Sequence, residues 1–218
     1  MPENDPEVLR RATRAHLAKA PQVEIDIEGR PLRLQSAWGL FSARAVDEGT
    51  GLLLRELQAL EPPQCVLDFG CGYGAIGLTL AALWPQTAVV LADKDILAVE
   101  AVRANIKRNK LANAEVVLSP GFRDIPAGLY DLIVSNLPAQ AGNDALDEIL
   151  VDAYDQLRPG GSLVVVVVSG LRRYMQRRLG ELYGNFNKAK QGSRHVVCEA
   201  VRPESGGSSS IPSPNTNN

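Results

Sequence analysis

The stretch Val66-Leu-Asp-Phe-Gly-Cys-Gly-Tyr-Gly74 constrains this chain more than any other. Its first residues close a short apolar run that reads as a buried strand, and the residues beyond Gly74 have the apolar spacing of a helix. Glycines at 70, 72 and 74 allow a sharp strand-to-helix turn and leave room for a ligand close to the backbone. Such a turn points to an open α/β sheet.

The rest of the pattern agrees. Nearly continuous apolar runs at 65–69, 88–92, 115–118, 129–135 and 161–168 predict strands buried on both faces of a parallel sheet, and helical spacing predicts helices at 75–83, 96–109 and 145–157. The succession is βαβαβ, a doubly wound fold. A helix over 171–183, a loop around 184–192 and a closing strand at 195–201 complete it. Before it, alternation at 23–27 and 32–34 around Glu28-Gly-Arg-Pro31 predicts a hairpin. Residues 6–20 suit an amphipathic helix with a basic outer face, either a docking helix with solvated arginines or an RNA contact. The tail 203–218, rich in Ser, Pro, Gly and Asn, is expected to be disordered. The expected organisation is an N-terminal appendage at 1–38, a main domain at 39–202 and that tail.

A formal net charge of -2 leaves no global attraction to phosphate, so nucleic-acid binding would need local basic patches. Three cysteines without a CxxC pair and two histidines argue against a zinc site, other metal centres and a disulfide framework. Without a signal-like apolar start or a membrane-length apolar run, the expectation is a soluble, cytoplasmic protein with no membrane association. Nothing in the sequence sets an oligomeric state.

Gly72-Tyr-Gly-Ala-Ile-Gly77 also matches the GxGxxG dinucleotide fingerprint, so the glycines alone leave a nicotinamide cofactor and S-adenosylmethionine both open. Asp68 separates them, because a carboxylate at that strand end suits a cationic amino-acid moiety and repels a pyrophosphate. Asp93, ending the next strand, can accept hydrogen bonds from both ribose hydroxyls. The bland alternatives are a turn aspartate at 68 and a solvated residue at 93.

Further segments supply a resemblance. Gly39-Leu-Phe-Ser42, Val46-Asp-Glu-Gly-Thr-Gly-Leu-Leu-Leu54, the glycine turn, Leu91-Ala-Asp93 with the helix through Asn105, and Ser135-Asn-Leu-Pro138 together resemble the small-ribosomal-subunit RNA (guanine-N2) methyltransferases, the "methyltransferase small" domain, in their short single-domain form. The resemblance runs from about Gln22 to Arg202. It implies a seven-stranded, mostly parallel class I fold that uses S-adenosylmethionine. It further implies that Asp68, Gly70, Cys71 and Gly72 hold the methionine end, that Asp93 and its neighbour Lys94 hold the ribose, and that Gly121 and Phe122 lie near the adenine. Family members usually carry an acid or amide where Pro120 stands. Asp47 and Thr50 are expected to cap a helix and border the cofactor's carboxylate.

Asn136, Leu137 and Pro138 stand at the family's catalytic Asn-Pro-Pro. The Asn136 side-chain carbonyl and the Leu137 backbone carbonyl can accept both hydrogens of an exocyclic amine, favouring the transition state in which that nitrogen gains positive charge. Asn136 would also touch the cofactor. Two departures stand out: Leu137 lacks a proline's rigidity, and Ala139 cannot stack on a base. Trp38 is expected in a small core and Phe41 at the lid of the site. The cluster Arg172, Arg173, Arg177 and Arg178, with Lys188, Lys190 and Arg194, is either a solvated face or a grip on RNA phosphates. His195 is expected as a pairing residue of the closing strand.

The function these expectations describe is methyl transfer from S-adenosylmethionine to a nucleobase nitrogen of ribosomal RNA, in the small subunit or its RNA. The alternatives are a small-molecule or protein methyltransferase, a cofactor-binding homologue without activity and, more distantly, an NAD-dependent oxidoreductase.

Overall fold

A computed structural model describes residues 19–40, 42–126 and 130–204. Residues 6–18 of the helix expected over 6–20, Phe41 and most of the tail lie outside the described residues, and Lys19 and Ala20 are turn and bend.

A hairpin of β1 (Gln22–Ile27) and β2 (Arg30–Gln35) precedes the first described helix, α1 (Glu48–Leu57). Then follow β3 (Cys65–Phe69), α2 (Ala75–Leu83), β4 (Ala88–Asp93), α3 (Ile96–Asn109), β5 (Ala114–Leu118), β6 (Tyr130–Asn136), α4 (Asn143–Gln156) and β7 (Leu157–Val168). A 3-10 turn (Ser169–Leu171) leads into α5 (Arg172–Tyr183), and β8 (Asn187–Gln191) and β9 (His195–Val201) close the chain. The main sheet has seven strands in the order β5-β4-β3-β6-β7-β9-β8. Strands β3 to β7 are parallel, while β9 is antiparallel to both its neighbours.

Alternate residues of each buried strand serve opposite cores. Val66, Leu91, Leu132 and Val164 pack with α1, α2, α3 and the hairpin. Leu67, Val90, Ile133 and Val165 pack with α4 and α5 on the other face. The strand order reverses between β3 and β6, so the connections leaving these two strands run to opposite faces and open a crevice at their carboxyl ends.

Several boundaries differ from expectation. Strand β7 begins at Leu157, whose side chain is fully buried and whose extended backbone ends α4; it pairs with Tyr130 across an irregularity in the register. Residues 187–191, expected as loop, form edge strand β8, which the sequence hides because Asn187, Lys188, Lys190 and Gln191 are all exposed. Lysines on an edge strand discourage pairing with other chains. Trp38 is not in a core: it is 43% exposed, with its Nε1 donating to the Lys19 carbonyl and Arg44 over its ring.

Two asparagines one helical turn apart dock the hairpin onto α3. Asn105 accepts the Gln35 N–H (2.7 Å) and donates to the Gln35 carbonyl (2.9 Å); Asn109 does the same for Arg33 (3.1 and 2.9 Å). Four residues of helix rise about 6 Å, close to the roughly 6.6 Å of two strand residues, so the side-chain amides stand in for a neighbouring strand. Asn105 also donates to the Tyr73 carbonyl (3.0 Å) and is fully buried. Asn105→Ala is expected to destabilise the chain by about 3 kcal/mol in urea denaturation, because three buried backbone groups lose their partner. Asn109→Ala, at an exposed pair, should cost under about 1 kcal/mol. Equal losses would contradict this assignment.

Candidate active site

The ladder between β3 and β6 stops at Asp68 and Val134. Beyond it the Ser135 hydroxyl donates to the Phe69 carbonyl (2.7 Å), satisfying the last strand oxygen as the chains part. The glycine turn then folds over the end of β4. Gly70 N–H and Cys71 N–H donate to the Ala92 carbonyl (2.8 and 3.1 Å), and Gly72 N–H donates to Asp93 Oδ2 (2.9 Å). Gly70 and Gly72 have positive φ (69° and 55°), which this path requires.

These bonds decide what the turn can hold. A pyrophosphate needs free loop N–H groups, and those of residues 70, 71 and 72 are spent within the protein. The Gly77 N–H in the first turn of α2 is likewise taken by Asp68 Oδ2 (2.7 Å). These N–H groups are therefore not offered to a phosphate in the cleft. Asp93 is not the solvated residue of the bland reading, since its other oxygen accepts the Asp95 N–H (2.9 Å).

Asp68 is placed beneath the turn, 1% exposed, with Oδ1 lacking a partner. Burial above all pushes its carboxyl up to about 7; the Gly77 N–H opposes this and the Asp93 charge adds to it. A Cβ at Gly77 would lie 2.9 Å from Asp68 Oδ2, so glycine there is what lets helix and carboxyl meet. Burial likewise raises the Cys71 thiol well above its usual range, with the Asp68 and Asp93 charges adding to it, which makes it an inert side chain.

A cleft of about 1190 Å³ lies over the crevice. It brings together Gly70, Cys71, Gly72, Asp93 and Lys94 on one side, Gly121 and Phe122 on another, and Asn136, Leu137 and Pro138 opposite. Ligand pockets commonly measure about 300–1,000 Å³, so this one has room for more than one small ligand. Phe122 stacks on Phe69 with ring centroids 4.2 Å apart, an apolar wall near Asp93 that the sequence did not single out in Phe69. The Ser119 hydroxyl donates to the Gly121 carbonyl (2.7 Å) and accepts the Asp124 N–H (3.1 Å), shaping the loop that carries Phe122.

On the opposite side, Asn136 ends β6. Its Nδ2 donates to Thr50 Oγ1 (2.9 Å) and lies 3.3 Å from both Asp47 oxygens. Asp47 also accepts the Thr50 N–H (3.0 Å), capping α1 as expected. Leu137 replaces proline's rigidity by other means: its N–H donates to the Val166 carbonyl (3.0 Å), a bond no proline can make, and its side chain is 3% exposed. Pro138 and Ala139 are exposed at the rim. His195 pairs with Val168 as a strand residue, yet its ring also lines the cleft, with Nδ1 3.8 Å from Glu48 Oε2. No local motif signals that placement.

The basic cluster is divided. Arg178 pairs with Asp147 and Glu181, Arg194 with Glu48, and Arg177 lies over the Tyr174 ring, while Arg172 and Arg173 are exposed.

The Asp68 environment has a measurable consequence. A folded carboxyl that keeps its proton to about 7, against 3.8 when unperturbed, contributes stability that is complete below the unperturbed value and lost as pH rises through about 7. Asp68→Asn can still accept from Gly77 and cannot ionise. Thermal unfolding between about pH 5 and pH 8 should show a fall in midpoint for the unsubstituted chain that the variant lacks; parallel curves would contradict the burial argument.

Residues 31–199 match the family model described as the methyltransferase small domain. A ribosomal RNA small subunit methyltransferase C of Pseudomonas putida is 38% identical over 187 residues, covering 84% of this chain and 55% of that protein. A ribosomal RNA large subunit methyltransferase G of Streptomyces avermitilis is 31% identical over 180 residues, covering 81% and 46%. Among solved structures, the T. thermophilus 16S rRNA N2 G1207 methyltransferase in complex with AdoMet and guanosine aligns with a TM-score of 0.74 and 28% identity over 83% of this chain and 50% of that one. The chain thus spans about half the length of the curated relatives it matches. Its fold is that of the class I methyltransferases, and the chain belongs to the methyltransferase small domain family.

Proposed function

We propose that this chain transfers a methyl group from S-adenosylmethionine to a nucleobase nitrogen of ribosomal RNA. The observation that carries the reading is the position of Asn136 across the cleft from Asp93 and the glycine turn, so that an acceptor for an amine faces a site suited to a nucleoside without phosphates. The relatives named for RNA methylation, and the T. thermophilus enzyme's complex with AdoMet and guanosine, support it. Such a substrate implies work in the cytoplasm, and residues 39–202 would form the catalytic domain.

The cleft fits the cofactor on three counts: Asp93 offers oxygens for ribose hydroxyls, the Phe122 wall suits a purine, and the N–H groups of Gly70, Cys71 and Gly72 are spent within the protein rather than offered to a phosphate. S-adenosylmethionine supplies, when bound, a methyl group activated on a sulfonium. The chain's residues do the rest by alignment. Gly70, Cys71 and Gly72 let the methionine end approach the backbone; Asp68, lying beneath them, acts through the start of α2, which it holds at Gly77. Lys94 borders the ribose side. Asn136 and the Leu137 carbonyl accept the hydrogens of the target amine and direct its lone pair toward the methyl group, so that charge developing on nitrogen is stabilised. Pro138 shapes the rim. Alignment of this kind needs neither a metal nor a covalent enzyme intermediate. The exposed Arg172 and Arg173 are candidates for phosphate contacts.

Asp93→Ala is expected to reduce S-adenosylhomocysteine affinity about a hundredfold in calorimetry, because a partly buried acceptor of ribose hydroxyls and the Gly72 anchor are both removed. Unchanged affinity would remove Asp93 from the site. Labelled methyl from S-adenosylmethionine should enter unmodified small-subunit RNA or particles, and Asn136→Ala should lose that transfer while binding S-adenosylhomocysteine normally. Cofactor binding with no label in any RNA would favour a homologue without activity, as the missing ring at Ala139 would suggest.

A further inference from the structure

An asparagine side chain has two chemically opposite ends, and a substrate amine is served by only one of them. In this cleft the choice is made by residues 86 and 89 positions away in sequence. Thr50 Oγ1 donates its single proton to Asp47 Oδ2 (2.7 Å), so toward Asn136 it can only accept, and the Asp47 oxygens, which already accept from Thr50, are acceptors as well. Both therefore demand the Nδ2 end of Asn136, at 2.9 and 3.3 Å. Turning the amide over would set its oxygen against three others. The site is also closely packed: a Cβ at residue 49 would lie 3.0 Å from both Asp47 Oδ1 and the His195 ring.

We propose that Asp47 and Thr50 are positioning residues that lock the Asn136 amide with Oδ1 toward the cleft. The site thereby selects a substrate nitrogen that carries hydrogen, an exocyclic amine, over an unprotonated ring nitrogen. This rests on the methyl-transfer reading above. Capping of α1 does not account for the arrangement, because the cap uses the Thr50 N–H and leaves the hydroxyl unneeded.

Thr50→Val tests the difference, since it keeps the cap and the side-chain shape and removes only the lone pair and proton. The expected result is a fall in kcat of about tenfold or more on unmodified small-subunit RNA, with KM and S-adenosylhomocysteine affinity within about threefold, and recovery in Thr50→Ser. Side-chain NMR should show the Asn136 Nδ2 protons protected from solvent exchange in the unsubstituted chain and in Thr50→Ser, and unprotected in Thr50→Val. Retained kcat in Thr50→Val, or an equal loss in Thr50→Ser, would overturn the proposal. If no RNA accepts methyl, the proposed function fails by itself; the exchange measurement then decides the lock, which unprotected Nδ2 protons in the unsubstituted chain would refute.

Discussion

The grip of β4 on the glycine turn is the interaction on which the rest of the site depends. By accepting the N–H groups of Gly70, Cys71 and Gly72, Ala92 and Asp93 pull the turn down over the sheet edge. Those three N–H groups are withheld from a phosphate, and the carboxylate of Asp93 stands beside the opening instead. The same glycine-rich spelling that is compatible with a dinucleotide thus becomes, through its hydrogen bonds, a site of different charge preference. The electrostatic choice is made by backbone partners that lie in another strand.

Across the crevice, order comes from a different source. The side with the glycine turn is built within consecutive strand-turn-helix units, whereas the opposite side joins the end of β6 to the cap of α1. Asp47 serves the helix and Asn136 with the same carboxylate, so helix initiation and the geometry of this side of the cleft are coupled. The Leu137 N–H bond to β7 shows that the loop after Asn136 is anchored as an extension of the sheet even where family members use proline.

What was legible from the sequence followed from local signals. The helices at 75–83 and 96–109 and the closing strand at 195–201 have the expected bounds, because each is a distinct apolar segment bounded by turn or polar residues. The residues of the glycine turn, Asp93 and Asn136 were legible as motif and do line one cleft. Strand β8 was not, since an exposed edge strand has no apolar alternation to read. Trp38 misled because a large aromatic ring suggests burial, while here its Nε1 reaches a backbone carbonyl and its face meets Arg44 at the surface. The Asp47-Thr50-Asn136 contacts, the Phe69 stack and the placement of His195 depend on tertiary neighbours, which no local pattern encodes. Asp68 was expected at the methionine end, and its depth beneath the turn was not legible.

The segment 36–47 has both its ends secured to opposite halves of the cleft. At one end Gln35 is bound to Asn105, which also holds the Tyr73 carbonyl within the glycine turn; at the other, Asp47 holds Asn136. Surface loops ordinarily gain and lose residues freely, because closing a slightly longer loop costs little. This one is a measured strap between two anchors, and its length is tied to the width of the opening it borders. Insertions that other loops of the molecule would absorb should here be felt as a change in how far the two halves of the site stand apart.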